Sequence, residues 1–232
     1  MSKMAVKHNI TGERTDSNRD LVLFDLDGTL ISGQSQQILL KLMRKEGILS
    51  SFDMLKIQFW FLRYKTGLTK NIADGMEKVY KRLEGINSEV LDSLIEQNFH
   101  VFRKKIMPSS RRLVENHQKN GDYAIMISSS VEPVVRWFCR EFGILEYRCT
   151  KLASNNGTFT GKLEGEVLTP AKKLGEIITF LNLSKGKFSH IYYYNDHHSE
   201  LNLMHFADFP VCVRPDHKLR KMAVLIHWKI ID

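Results

Sequence analysis

The chain has 232 residues, 43% of them hydrophobic and 26% charged, and a formal net charge of +8. That length predicts one to two domains, and that composition excludes a disordered, collagen-like or disulfide-scaffold protein. No window approaches the ~18 uninterrupted apolar residues of a membrane span, and the polar stretch 1–20 holds no apolar run suited to a signal peptide. Cys139, Cys149 and Cys212 form no CxxC pair, which fits free thiols in a reducing cytoplasm.

After the polar tail, Leu21-Val22-Leu23-Phe24 runs straight into Asp25, the pattern of a strand buried on both faces of a parallel sheet. From Gln34 to Met107 the apolar spacing becomes helical. Ile38, Leu39, Leu42 and Met43 form one helix, and Gly47 stops it. Ser50 or Ser51 caps a second, which carries the aromatic run Ile57 to Tyr64. Thr69 and Ser88 open two more. The aromatic run reads first as helix core, and otherwise as a substrate-pocket wall or an interfacial membrane contact. This block also carries the charge: residues 41–112 hold 15 Lys/Arg against 8 Asp/Glu. Such a field attracts phosphates, nucleic acid or acidic lipid, unless it is only a solvated helix face.

Strand signals return at Tyr123 to Ile127, ending in Ser128-Ser129-Ser130, and a helix with Val134, Val135, Trp137 and Phe138 follows. Asn155-Asn156-Gly157 predicts a hairpin near 152–168. Ala171 to Leu183 reads as a helix, Ile191 to Tyr194 as a strand ending in Asn195-Asp196, Val211 to Val213 as another strand, and Lys218 to Trp228 as a last helix. Strands alternating with helices imply a Rossmann-like α/β core, a parallel sheet between helices, with an inserted all-helical cap. The boundaries expected are a tail over 1–20, a core over 21–33 and 108–232, and the cap over 34–107.

In such sheets ligands bind outside the carboxyl ends of the strands, where Asp25-x-Asp27, Ser128 and Asp196 fall. Carboxylates crowded there call for a cation, and hard oxygen ligands favour Mg²⁺. An aspartate beside Mg²⁺ suits nucleophilic attack on phosphorus, and a second carboxylate suits general acid and base work.

The string Asp25-Leu26-Asp27-Gly28-Thr29 resembles the first motif of the haloacid dehalogenase superfamily of phosphohydrolases. Ser128 at a strand end, a lysine early in the helix after Thr169-Pro170-Ala171, and Asp196 match the other three motifs. The long helical insert is similar to the phosphoserine-phosphatase-like branch (subfamily IB), as is the closing stretch from Arg214-Pro215-Asp216 to Trp228. The resemblance covers nearly everything from residue 21 to 232. It implies Asp25 as nucleophile and Mg²⁺ ligand, and Asp27 as acid, base and ligand through its carbonyl. It further implies Ser128, Ser129 and Gly28 around the phosphoryl group, Lys172, with its neighbour Lys173 as the alternative, as the neutralising cation, and Asp196 as the last metal ligand. Two departures stand out: the fourth motif reads Asn195-Asp196-His197-His198-Ser199-Glu200 where the family usually has Gly-Asp-Ser-x-x-Asp, and Gln34 stands where phosphoserine phosphatases carry a glutamate that reads the substrate's amino group.

The expected activity is a Mg²⁺-dependent phosphomonoesterase for a small or amphiphilic ester. The rivals are a phosphotransferase of the same fold and a non-catalytic module binding nucleic acid or acidic membrane through the basic cap. No nucleic-acid motif accompanies the charge, so a small-molecule phosphate ester is the expected partner, with peripheral membrane contact open. Histidinol phosphate and phospholipid head groups are candidate substrates.

Overall fold

A computed structural model describes residues 19–65, 68, 72–184 and 187–232. The expected polar tail (apart from Arg19 and Asp20) and the helix start at Thr69 lie outside the described residues.

Strand β1 (Arg19–Phe24) is followed by a run of helices: α1 (Ser35–Lys45), α2 (Ser51–Lys65), α3 (Ile72–Tyr80), α4 (Ser88–Gln97) and α5 (Phe99–Arg103). Then come α6 (Pro108–Lys119), β2 (Tyr123–Val131), α7 (Glu132–Phe142) and the hairpin β3 (Glu146–Asn155) and β4 (Thr158–Glu164). The chain closes with α8 (Pro170–Ser184), β5 (Phe188–Asn195), α9 (Leu201–Phe206), β6 (Phe209–Val213), α10 (His217–Leu225) and β7 (Lys229–Ile231).

The strands form one seven-stranded sheet in the order β4-β3-β2-β1-β5-β6-β7. All pairs are parallel except β3–β4. Strand β1 lies near the middle, with Phe24 level with Met126 of β2 and Tyr194 of β5, so β1 and β5 end side by side while β2 runs on to Val131. The unbroken apolar run explains that place. Val22 and Phe24 pack on one face with Val114 of α6 and with Val135 and Phe138 of α7. Leu21 and Leu23 pack on the other with Ile177, Leu203, Met204, Leu219 and Ala223 of α8, α9 and α10. A strand covered on both sides needs apolar residues at every position.

Two features of the closing segment differ from expectation. The last helix ends at Leu225, and Lys229–Ile231 form a seventh strand on the edge of β6. His227, in the left-handed region at φ 58°, reverses the chain between them.

The helical run leaves and rejoins the core through a narrow neck. Ile31 bridges Ile106, and the Ser32 amide donates to Lys105 O at 2.8 Å. The hairpin supplies a second hold. Its Asn156-Gly157 turn has positive φ at both positions, as a two-residue loop between twisted strands requires. Phe159 exchanges backbone hydrogen bonds with Gly85 and Ile86 at 3.0 and 2.9 Å. Gly161 is needed for that approach, because a Cβ there would meet Glu84 Cβ at 2.9 Å and the Lys81 backbone.

Candidate active site

The ends of β1 and β5 carry Asp25 and Asp196 to one edge of the sheet, and Ser128 joins them from within β2, which continues past its expected end at Ser128 to Val131. There they line a cleft of about 860 Å³ whose opposite wall comes from α1, α2 and α3. Asp25 is buried, and its Oδ1 accepts from Lys173 Nζ at 2.6 Å. Lys173 also donates to Glu200 Oε1 at 2.8 Å, and the Tyr193 hydroxyl donates to Glu200 Oε2. Lys173 is 1% exposed. Burial alone would favour its neutral form, but Asp25 and Glu200 outweigh it and hold the ammonium above its ordinary pKa. Asp25 is pushed well above the usual carboxylate range, first by burial and then by the negative charges of Glu200 and Asp196, against the pull of Lys173.

Asp27 is fixed differently. The Ser35 amide, at the start of α1, donates to its Oδ1 at 2.5 Å, and the Ser35 hydroxyl to Oδ2 at 3.0 Å. Ser35 Oγ in turn lies 2.8 Å from Ser130 Oγ. Burial raises the Asp27 carboxyl to about 6, more than the two Ser35 hydrogen bonds lower it.

Asp196 comes from the tight turn after β5. Thr29 Oγ1 donates to its Oδ1 at 3.3 Å, and the Asp216 amide donates to its carbonyl at 2.8 Å. Burial raises its carboxyl to about 6. Gly28 has φ +85°, and a Cβ there would fall 2.0 Å from Asp196 Oδ2, so the motif's glycine is required twice over. It stands behind Asp196 and is not among the cleft-lining residues. Arg214 holds this loop from outside, donating to Gly28 O and Thr29 O at 3.0 and 3.1 Å.

The Ser128 hydroxyl accepts from the Ser130 amide at 3.1 Å, which leaves its hydrogen for a ligand in the cleft. Ser129 lines the cleft, and its carbonyl accepts from Thr150 Oγ1 at 2.9 Å and from Gln36 Nε2 at 3.4 Å.

The lysine expected beside Asp25 was Lys172, and the structure corrects this. Lys172 is exposed, pairs with Glu166 across the surface, and is not among the cleft-lining residues. The reason is helical phase. Lys173 and Ile177, one turn apart, share the buried face of α8, and Lys172 lies about 100° away from it. Ser35, Ser130, Tyr193 and Arg214 were also missed. Arg214 acts on groups distant in sequence and Ser35 on Asp27 across an irregular loop, and neither leaves a periodic pattern. Tyr193 was legible only as a strand residue.

The donor set can be tested for a cation. Asp25, Asp27, Asp196 and Glu200 gather around a single buried ammonium, and burial raises the pKa of the three aspartates toward protonation. Oxygen ligands in excess of cationic charge fit a hard divalent ion such as Mg²⁺. The far wall is mixed: apolar Leu40, Leu49, Ile57 and Met76, with Lys56, Lys78 and Arg82 among them. Gln34 stands at the N-cap of α1 and lines the same cleft. His197, also lining it, is kept below its usual pKa by burial, and its Nε2 lies 3.2 Å from Asp216.

Comparison with known proteins shows the family. A family model described as haloacid dehalogenase-like hydrolase matches residues 22–205. A protein named histidinol-phosphatase from Neisseria meningitidis is 29% identical over 92% of this chain and 99% of its own. A phosphoserine phosphatase from Mycobacterium tuberculosis is 24% identical over 90% of this chain and 69% of its own. A Bordetella pertussis protein of unknown function superposes with a TM-score of 0.85, at 23% identity, over 93% of this chain and 99% of that one. With the family model spanning most of its length and phosphatases among its relatives, the chain belongs to the haloacid dehalogenase-like hydrolase family and is a phosphoric monoester hydrolase.

Proposed function

We propose that the chain hydrolyses a phosphate monoester through a phosphoryl group carried on Asp25. The observation that carries this reading is the buried Lys173–Asp25 pair at the floor of a cleft that also holds Asp27, Ser128 and Asp196. An Asp25 oxygen attacks phosphorus, and the bond from phosphorus to the ester oxygen breaks. Asp27, whose carboxyl is raised to about 6, retains a proton in part of the population near neutrality and gives it to the departing alkoxide. Ionised, it then takes a proton from the water that attacks phosphorus, which releases phosphate and restores Asp25. Ser35 holds the Asp27 carboxylate in place for both transfers. Lys173 keeps Asp25 compensated while charge moves onto phosphorus. Ser128, with Ser129 beside it, donates to a phosphoryl oxygen. Asp25, the Asp27 carbonyl and Asp196 would hold Mg²⁺, which when bound neutralises phosphoryl charge.

The leaving group faces α1, α2 and α3. Gln34 offers an amide rather than a charge, and Leu40, Leu49 and Ile57 offer apolar contact, which suits an alcohol bulkier than serine. Histidinol phosphate, the compound in the name of the full-length relative, therefore heads the substrate panel. The test is phosphate release from a panel of monoesters with Mg²⁺ and with excess chelator. Turnover abolished by chelator and by Asp25→Asn supports the reading. Release by folded Asp25→Asn at the wild-type rate ends it.

A further inference from the structure

Helix α2 is apolar on two opposite sides. Asp53, Met54, Ile57 and Trp60 face the protein. Phe52, Leu55, Phe59 and Leu62 are 62%, 61%, 59% and 58% exposed. At about 100° per residue these four occupy an arc of roughly 80° opposite the packed face. Lys56 stands on one flank, its ammonium 4.2 Å from the Phe52 ring centroid, and the exposed Arg63, seven residues on, falls on the same flank by helical spacing. A helix carrying one apolar stripe for its core and a second toward solvent has a use for the second.

We propose that this outer stripe docks on an anionic lipid surface, with α2 lying in the plane of the interface. Fifteen residues are too few to cross a bilayer, which takes about 20, but suit a helix resting its apolar side among the headgroups. Charge complementarity selects the occupant. The segment 41–112 that contains α2 holds 15 Lys/Arg against 8 Asp/Glu, and acidic lipid rewards that excess. A second copy of the chain would set two such positive segments against each other. Nucleic acid would use the cations but has nothing to pair with the leucines. The inner side of the same helix lines the cleft through Ile57 and Trp60, so docking would bring the catalytic cleft to a lipid surface.

The experiment is co-sedimentation of the full chain with vesicles of equal parts phosphatidylglycerol and phosphatidylcholine, and with vesicles of phosphatidylcholine alone. The expected result is at least about tenfold stronger partition to the anionic vesicles. Leu55→Ser combined with Phe59→Ser should reduce that partition by at least about tenfold. Because both side chains point outward, the double variant should keep the wild-type melting temperature and turnover of a water-soluble ester. Failure of the wild-type chain to sediment with anionic vesicles overturns the proposal, and so does equal binding to neutral ones. Undiminished binding by the double variant, or a wild-type dimer in light scattering that this variant dissolves, also overturns it.

Discussion

Replacing each of two adjacent lysines with methionine gives a sharp test of the site. Lys173 is 1% exposed and bonded to two buried carboxylates at 2.6 and 2.8 Å. Methionine fills nearly the same volume, so Lys173→Met removes charge rather than packing. Breaking a buried pair from one side costs about 3–5 kcal/mol, because the partner charges stay behind. Here Asp25, which burial already pushes above the usual carboxylate range, can shed part of that cost by taking up a proton, so the loss grows with pH. The titration of Lys173 itself does not interfere: its folded pKa lies above the unfolded value of about 10.4, so its stabilisation is complete throughout the neutral range. Lys172→Met removes an exposed pair with Glu166, which costs at most about 1 kcal/mol. Melting curves from about pH 5 to pH 8 should show Lys172→Met near wild type and Lys173→Met destabilised, with a gap that widens as pH rises. In phosphate release, Lys173→Met should lose about a hundredfold to a thousandfold and Lys172→Met little. The reverse ranking in either assay would refute the reasoning.

Gly28→Ala should destabilise by at least about 1–2 kcal/mol, from the left-handed backbone and the collision with Asp196, and should abolish any Mg²⁺-induced rise in melting temperature. Thermal melting with and without Mg²⁺ checks both parts. Protons compete with the cation for Asp196, whose carboxyl is raised to about 6, so the Mg²⁺-induced rise should be larger at about pH 8 than at about pH 5. A rise independent of pH would remove Asp196 from the cation site. Glu200→Asp should cost about 1–3 kcal/mol, because the shorter side chain cannot reach Lys173 and Tyr193 together. In a Tyr193→Phe background the same change should cost less, as a double-mutant cycle would measure.

The sheet was legible because its strands are buried on both faces. Leu21 to Phe24, Tyr123 to Ile127 and Ile191 to Tyr194 have no polar position to confuse with another period, and each ends at a residue that belongs in the cleft. The hairpin was legible from Asn156-Gly157, two residues that accept positive φ. Strand β7 was not, because three residues on a sheet edge carry no period, and Lys229 and Trp228 read equally well as the end of a helix. Lys173 was within reach. Its spacing of four from Ile177 puts it on the face of α8 that must be buried, and the helical phase identifies it over Lys172.

The fourth motif departs from the family pattern at Glu200, and strand β5 supplies a physical reason. Tyr193 is fully buried with its ring in the apolar layer between the sheet and α8, α9 and α10. A phenol hydroxyl left there without a partner costs about 1–3 kcal/mol. A carboxylate one methylene longer than aspartate meets that hydroxyl with one oxygen and the Lys173 ammonium with the other. Glu200 is thereby satisfied on both sides, and Lys173 is held between Glu200 and Asp25. The compensation of the Asp25 charge thus depends on a tyrosine seven residues before Glu200 that is not among the cleft-lining residues. A change at position 200 toward the family aspartate should therefore be read together with position 193, since it orphans a buried hydroxyl as well as shortening a reach.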